Sequence, residues 1–361
     1  MHKTIVFLAI QLTVATTCSA QNASPSKHRI FAGTGEQVLN TAVYPPGAPA
    51  GPAVKLAIGN PFGIEFSENS VWITSVDDHC IYRGKPDGKK FQRVVGNGLI
   101  GYTGDGGRAE EATFNWPHEV RADAAGNLYI ADTRNHVIRR VDASTGLVTT
   151  LAGNGRPGLA GDGKRGPEIQ FRQPHSVVLD GEGGLLIADT GNHRICKIDI
   201  ATGVLQTISG TGQKKLPIDG NPSLNSPLAG PRSLAVDKDY IWIALREGNS
   251  IWRINRKTNT IHHVAGTGEK GYTGDGGPPK KATFKGPKGL VLDNHGRVLV
   301  VDTENHAVRR IDLSLNRVDT VLGGSKSEET FRLKRPHGIA YRKGLGYLVA
   351  DSEHHRVLLG N

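Results

Sequence analysis

Cysteine is scarce in this chain: three in 361 residues, at positions 18, 80 and 196. Cys18 falls in a leader-like N-terminal stretch, which leaves Cys80 and Cys196 for the folded part. These two occupy different places in different repeats, two repeats apart. A bridge between them would need Cα atoms within about 7 Å, so both read as isolated packed thiols and cysteine usage leaves the compartment open. Long apolar runs are missing too. Beyond the first twenty residues nothing approaches the ~20 apolar residues of a membrane span. No Gly-x-Ser-x-Gly elbow, His-Glu-x-x-His pair or dinucleotide fingerprint occurs in a fitting context, so the common catalytic signatures are absent.

What the chain has is glycine and repetition. The 47 glycines far exceed the usual ~7% and fall mostly at unit boundaries, as tight turns do. Anchor prolines recur at Pro61, Pro117, Pro174, Pro231, Pro287 and Pro336, separated by 56, 57, 57, 56 and 49 residues. A long fixed period means one supersecondary unit copied along the chain. In the clearest copy, Leu128-Tyr-Ile-Ala131 is an apolar strand and Asp132-Thr-Arg-Asn-His136 a polar turn. Val137-Ile-Arg-Arg-Val141 then alternates, and Leu147 to Ala152 closes the unit. Four short strands between Gly, Asn and Asp turns make an antiparallel four-stranded sheet. Helical periodicity does not compete.

Repeated sheets of this size predict an all-β, six-bladed β-propeller. The last copy, from Pro336 to Asn361, has room for three strands only. Arg29-Ile-Phe-Ala-Gly-Thr-Gly35 repeats the closing phrase Ile261-His-His-Val-Ala-Gly-Thr-Gly268. The N-terminal strand is therefore expected to complete the sixth blade and hide both sheet edges. The organisation expected is a signal peptide over 1–20, a short segment over 21–27 and the propeller over 28–361. Lys3, the apolar Ile5 to Ile10 and the small-residue site Cys18-Ser19-Ala20 carry the leader reading, and with it secretion to an extracellular or periplasmic address.

The phrase Asp-Thr-x-Asn-His-x-(Ile/Val)-Arg-Arg, preceded by Gly-Tyr-Thr-Gly-Asp-Gly-Gly, resembles the NHL-repeat propellers. The resemblance covers about residues 28–361 and implies the fold. Similar propellers serve as protein-binding modules, RNA-binding surfaces, extracellular sensors and, more rarely, lyases or lactonases, so function has to be read from the site.

Antiparallel order places the turn between strands 2 and 3, the inter-blade links and the residue after each anchor proline on one face. The loop carboxylates Asp105, Asp162, Asp219 and Asp275 each lie 12 residues before an anchor proline and read as structural. Phe114, Phe171, Leu228 and Phe284, three before the proline, are expected to plug the loops between blades. Calcium on these loops is a minor alternative, because a tight site needs six to eight oxygens and each loop offers one carboxylate. The repeated Asp, Asn and His of the polar turns read as structural as well, since a catalytic triad is needed once.

The residues after the anchor prolines differ: Phe62, His118, His175, Arg232, Lys288 and His337. They are expected to ring the mouth of the central channel and attract an anion. The Pro-His pairs also resemble those of peptidyl-hydroxyglycine amidating lyases, which implies zinc on His118, His175 and His337. Against that, these histidines fall on blades 2, 3 and 6 rather than on alternate blades, and Arg232 and Lys288 stand beside them. The net charge of +10 favours an anionic small molecule, an acidic polysaccharide or a protein or peptide partner, whereas an exported address argues against nucleic acid. The leading expectation is a monomeric binding module without a cofactor. The alternative is a metal-dependent lyase or hydrolase, amidating-lyase-like or lactonase-like, centred on the channel mouth. An insertion around Tyr44-Pro-Pro-Gly-Ala-Pro49 is expected to shade one sector of that face.

Overall fold

The computed structural model describes residues 28–38, 43–47, 50–324 and 331–360. The expected leader and residues 21–27 lie outside the described residues. Six four-stranded antiparallel sheets form the blades. Blade 2 is built from Pro117–Ala122, Leu128–Asp132, Val137–Val141 and Val148–Ala152, in the order expected. In blade 6 the outermost strand is Arg29–Ala32, which pairs antiparallel with Arg356–Gly360, Ile30 standing opposite Leu358. The termini thus close the ring. Among the described residues no helix is long and apolar enough to cross a membrane.

The core is divided into wedges between neighbouring blades. One wedge joins Tyr129 and Ile138 of blade 2 to Phe171, Ile187 and Cys196 of blade 3. At the closure Phe31 packs with Ile58, Ile73, Leu348 and Val357. The plugs Ile58, Phe114, Phe171, Leu228 and Phe284 are fully buried, each seating an inter-blade link against two sheets. Cys80 and Cys196 are free and buried. Of the insertion, Gly51 pairs with Phe91 on the outermost strand of blade 1, and Arg93 donates to the Pro45 carbonyl at 2.6 Å. Residues 48 and 49 lie outside the described residues.

In blades 2, 3, 5 and 6 the polar turn begins as a single 3-10 turn and ends on a residue in the left-handed region, as in Thr133–Asn135 followed by His136 at φ 57°. Asp132 receives the Asn115 N–H at 2.8 Å and holds its own turn through Asn135 at 2.8 Å. Thr133 donates to the Pro174 carbonyl of the next blade at 2.7 Å. The turn motif is therefore an inter-blade fastener, and the same bonds recur at Asp189 and Asp302.

Candidate functional site

In blades 1 to 5 the register of the innermost strand slips just after the anchor proline: Pro117 faces Asp132, but Glu119 faces Ala131. A bulge at this point bends the strand and re-aims the extra residue. In blades 2 to 5 that residue is His118, His175, Arg232 or Lys288, so the slip sends these side chains toward the axis. With Phe62 and His337 they form the expected ring.

The ring does not surround an open channel. All six side chains are buried, none more than 8% exposed, and the space between them is about 10 Å³. Phe62 stacks on His337 with centroids 3.8 Å apart and meets His118 edge-on at 4.9 Å. His118 meets His175 edge-on at 4.8 Å. The Arg232 guanidinium donates to His118 Nε2 at 2.7 Å, and Lys288 Nζ lies 3.0 Å from His337 Nε2. The mouth is closed because the bulges turn the side chains into one another.

Burial holds His118, His175 and His337 well below the usual histidine range, and the neighbouring Arg232 adds to the effect. These imidazoles therefore stay neutral where free histidine titrates. The group that titrates near neutrality is Lys288, lowered to about 7 by burial and then by Arg232, with Glu304 opposing at 3.3 Å. Arg232 is lowered to about 9, first by burial and then by Arg246, so it stays charged. It enters no ion pair among the described residues, and its Nε finds no partner.

The zinc arrangement implied by the Pro-His pairs can be compared with this geometry. The Nε2 atoms of His118 and His337 both face cationic groups, and among the described residues no three His, Cys, Asp or Glu side chains gather as a metal ion requires. The loop carboxylates are occupied too. Asp105 and Asp275 pair with the fully buried Arg139 and Arg309 at 2.7 and 2.8 Å. Asp162 accepts the Thr207 N–H, and Asp219 accepts from His263 and Lys280. In the sequence only the repeated Arg-Arg phrase marks these buried arginines.

Above the ring the link face carries Glu247, Glu304 and Glu353, each paired with a cation, and further basic residues outside any ion pair. Arg134, Arg172 and Lys285 are exposed there and enter no ion pair among the described residues. Arg134 lies over the Trp116 ring at 3.5 Å. Elsewhere a cavity of about 610 Å³ separates blades 1 and 2 and is lined by Trp72, Arg83 and Asp142 among others. A third, of about 280 Å³, opens at the far end of the channel.

Residues 171–198, 284–311 and 333–358 match the family model described as NHL repeat. The chain carries NHL repeats. This NHL propeller is 26% identical over 308 residues to human NHL repeat-containing protein 2, covering 72% of this chain and 42% of that protein. It is 28% identical over 264 residues to Protein SUPPRESSOR OF QUENCHING 1, chloroplastic, of Arabidopsis thaliana, covering 68% and 25%. The chain thus spans a quarter to about two fifths of these relatives. Among solved structures it resembles an auxiliary nutrient binding protein from Bacteroides ovatus, with a TM-score of 0.64 at 16% identity over 92% of this chain and 76% of that one. It also resembles virginiamycin B lyase from Staphylococcus aureus, with a TM-score of 0.52 at 14% identity over 84% and 94%. At such identities these two structures speak for the NHL propeller's fold alone.

Proposed function

We propose that this NHL propeller is an exported recognition module that holds an anionic ligand on its link face, over the closed mouth of the channel. One observation carries the reading: Arg232 is a buried guanidinium that enters no ion pair among the described residues, supported only at longer range by Glu119 and Glu247, and is set beside Lys288 and three neutral imidazoles. A buried charge left uncompensated is costly, and an anion above the ring would relieve that cost. Arg134, Arg172 and Lys285 extend the same sign of charge across the face, and the net charge of +10 agrees with it. The leader-like residues 1–20 support export. The fold likeness to a protein described as nutrient binding is compatible with a binding role.

Calorimetric titration with phosphate, an acidic oligosaccharide and an acidic peptide tests the reading. At least one is expected to bind more tightly near pH 6, where Lys288 is charged, than near pH 8. Binding is expected to weaken with salt, as exposed charge interactions do. Equal binding of every anion by wild type and by Arg232→Met would refute it.

A further inference from the structure

Counting four residues on from each anchor proline gives a second layer around the channel: Glu65, Arg121, Val178, Ala235, Val291 and Ala340. This layer lies beyond the ring, in the cavity of about 280 Å³ at the far end. The walls come from the innermost strands and are mainly aliphatic, with Phe66 and Tyr341 the aromatic exceptions. A water molecule's share of liquid is about 30 Å³, so the space suits a ligand of roughly nine non-hydrogen atoms.

The polar groups are few and convergent, as in small-molecule sites. Arg121 Nη2 lies 3.2 Å from Glu119, and its Nε lies 3.5 Å from Glu65. Glu119 is further fixed by accepting the Val177 N–H at 2.9 Å. One guanidinium thus serves two carboxylates, and the nearer of them is already anchored. Glu65 keeps 21% of its side chain open and Arg121 only 13%. The Glu65 carboxylate is the charge left over.

We propose that this end of the channel is a second binding site, which takes a small alkylammonium ligand, its ammonium on Glu65 and its tail against the aliphatic walls. An ammonium supplies the cation that Glu65 only partly obtains from Arg121. A carboxylate ligand would meet two carboxylates around a single guanidinium. The ionisation of Glu65 agrees with this: burial raises it to about 7, with Glu119 adding and Arg121 opposing. Among the described residues the charged groups acting on Glu65 are Arg121 and Glu119, on the innermost strand of the next blade, and its other neighbour in the layer is Ala340.

The test is calorimetry of the whole chain with hexylamine, hexanoate and hexanol. Hexylamine is expected to bind at pH 8 and to bind at least tenfold more weakly at pH 5.5, where Glu65 takes up a proton. Glu65→Gln should lose hexylamine binding while keeping the wild-type response to anions at the link face, which reports an intact fold. Ala235→Phe narrows the cavity from another blade and should also lose it, a readout that does not depend on Glu65→Gln folding. Hexanoate or hexanol binding as tightly as hexylamine, or hexylamine binding that survives Glu65→Gln or Ala235→Phe, overturns the proposal.

Discussion

His136 Nδ1 accepts a hydrogen bond from the backbone N–H of Gln173 at 3.1 Å, 37 residues on in the next blade. The same bond joins His79 to Trp116, His193 to Gly230, His306 to Arg335 and His355 to Asn60, and Asn249 takes the place of histidine against Gly286. Donor and acceptor residues are all in the left-handed region. The repeated histidine is thus a clasp between blades, and His355 to Asn60 clasps the sixth blade to the first.

Replacing a clasp histidine by alanine leaves a backbone N–H unpaired and is expected to cost about 1 kcal/mol. Asparagine is expected to restore much of the loss, because Asn249 already does this work. Thermal unfolding of His136→Ala and His136→Asn checks both.

The clasp accepts through Nδ1 and therefore works with neutral imidazoles. Burial lowers His79 to about 4, and it lowers His136 and His193 as well. The unfolded histidines take up protons near 6.5, the folded ones only at lower pH, so unfolding binds protons and stability falls as pH drops from about 6.5 toward 4. Asp132 and Asp302, raised by burial to about 7 and 6, act in the opposite sense. The informative measurement is therefore the difference between wild type and His79→Asn at pH 7 and pH 5. The gap between them is expected to shift in favour of the variant at pH 5, and a gap independent of pH would exclude the clasp as a titrating element.

Removal of the residues up to Gly35 strips the outermost strand from blade 6 and uncovers Ile58 and Val357 in the closing wedge. Aggregation or a large fall in melting temperature is expected, since an exposed sheet edge is a pairing template. A soluble truncated chain with an unchanged melting temperature would contradict closure through Arg29–Ala32.

Much of this was legible in the sequence because it rests on counting. The spacing of the anchor prolines marks the blades, the Ala-Gly-Thr-Gly phrase exposes the exchanged strand, and fixed offsets pick out Phe114 and its equivalents as plugs. The ring residues follow from the same count. What they do together does not, because the slip after the prolines of blades 1 to 5 shows only in strand pairing, and that slip decides whether His118 faces solvent or Arg232. Arg139 and Arg309 look like surface arginines in an alternating strand, yet they are buried between two carboxylates each. The pair of Glu65 and Arg121 was hidden for another reason: the two lie 56 residues apart and meet only because adjacent blades bring the same register position together.

Arg232 also sets stability against function. Arg232→Met removes a buried charge that enters no ion pair among the described residues and is expected to raise stability by about 1 kcal/mol or more, while weakening anion binding. Thermal unfolding in a buffer without multivalent anions, followed by the same scan with phosphate, separates the two effects. Phosphate is expected to stabilise wild type more than the variant.

The central claim is that Arg232 and Lys288 form the cationic floor of an anion site, and titration of wild type and of Arg232→Met with Lys288→Met at pH 6 and pH 8 tests it most directly. The account predicts that wild type binds an anion more tightly at pH 6 than at pH 8 and that the double variant binds weakly at both. Anion affinity that is the same in wild type and the double variant at both pH values would contradict it.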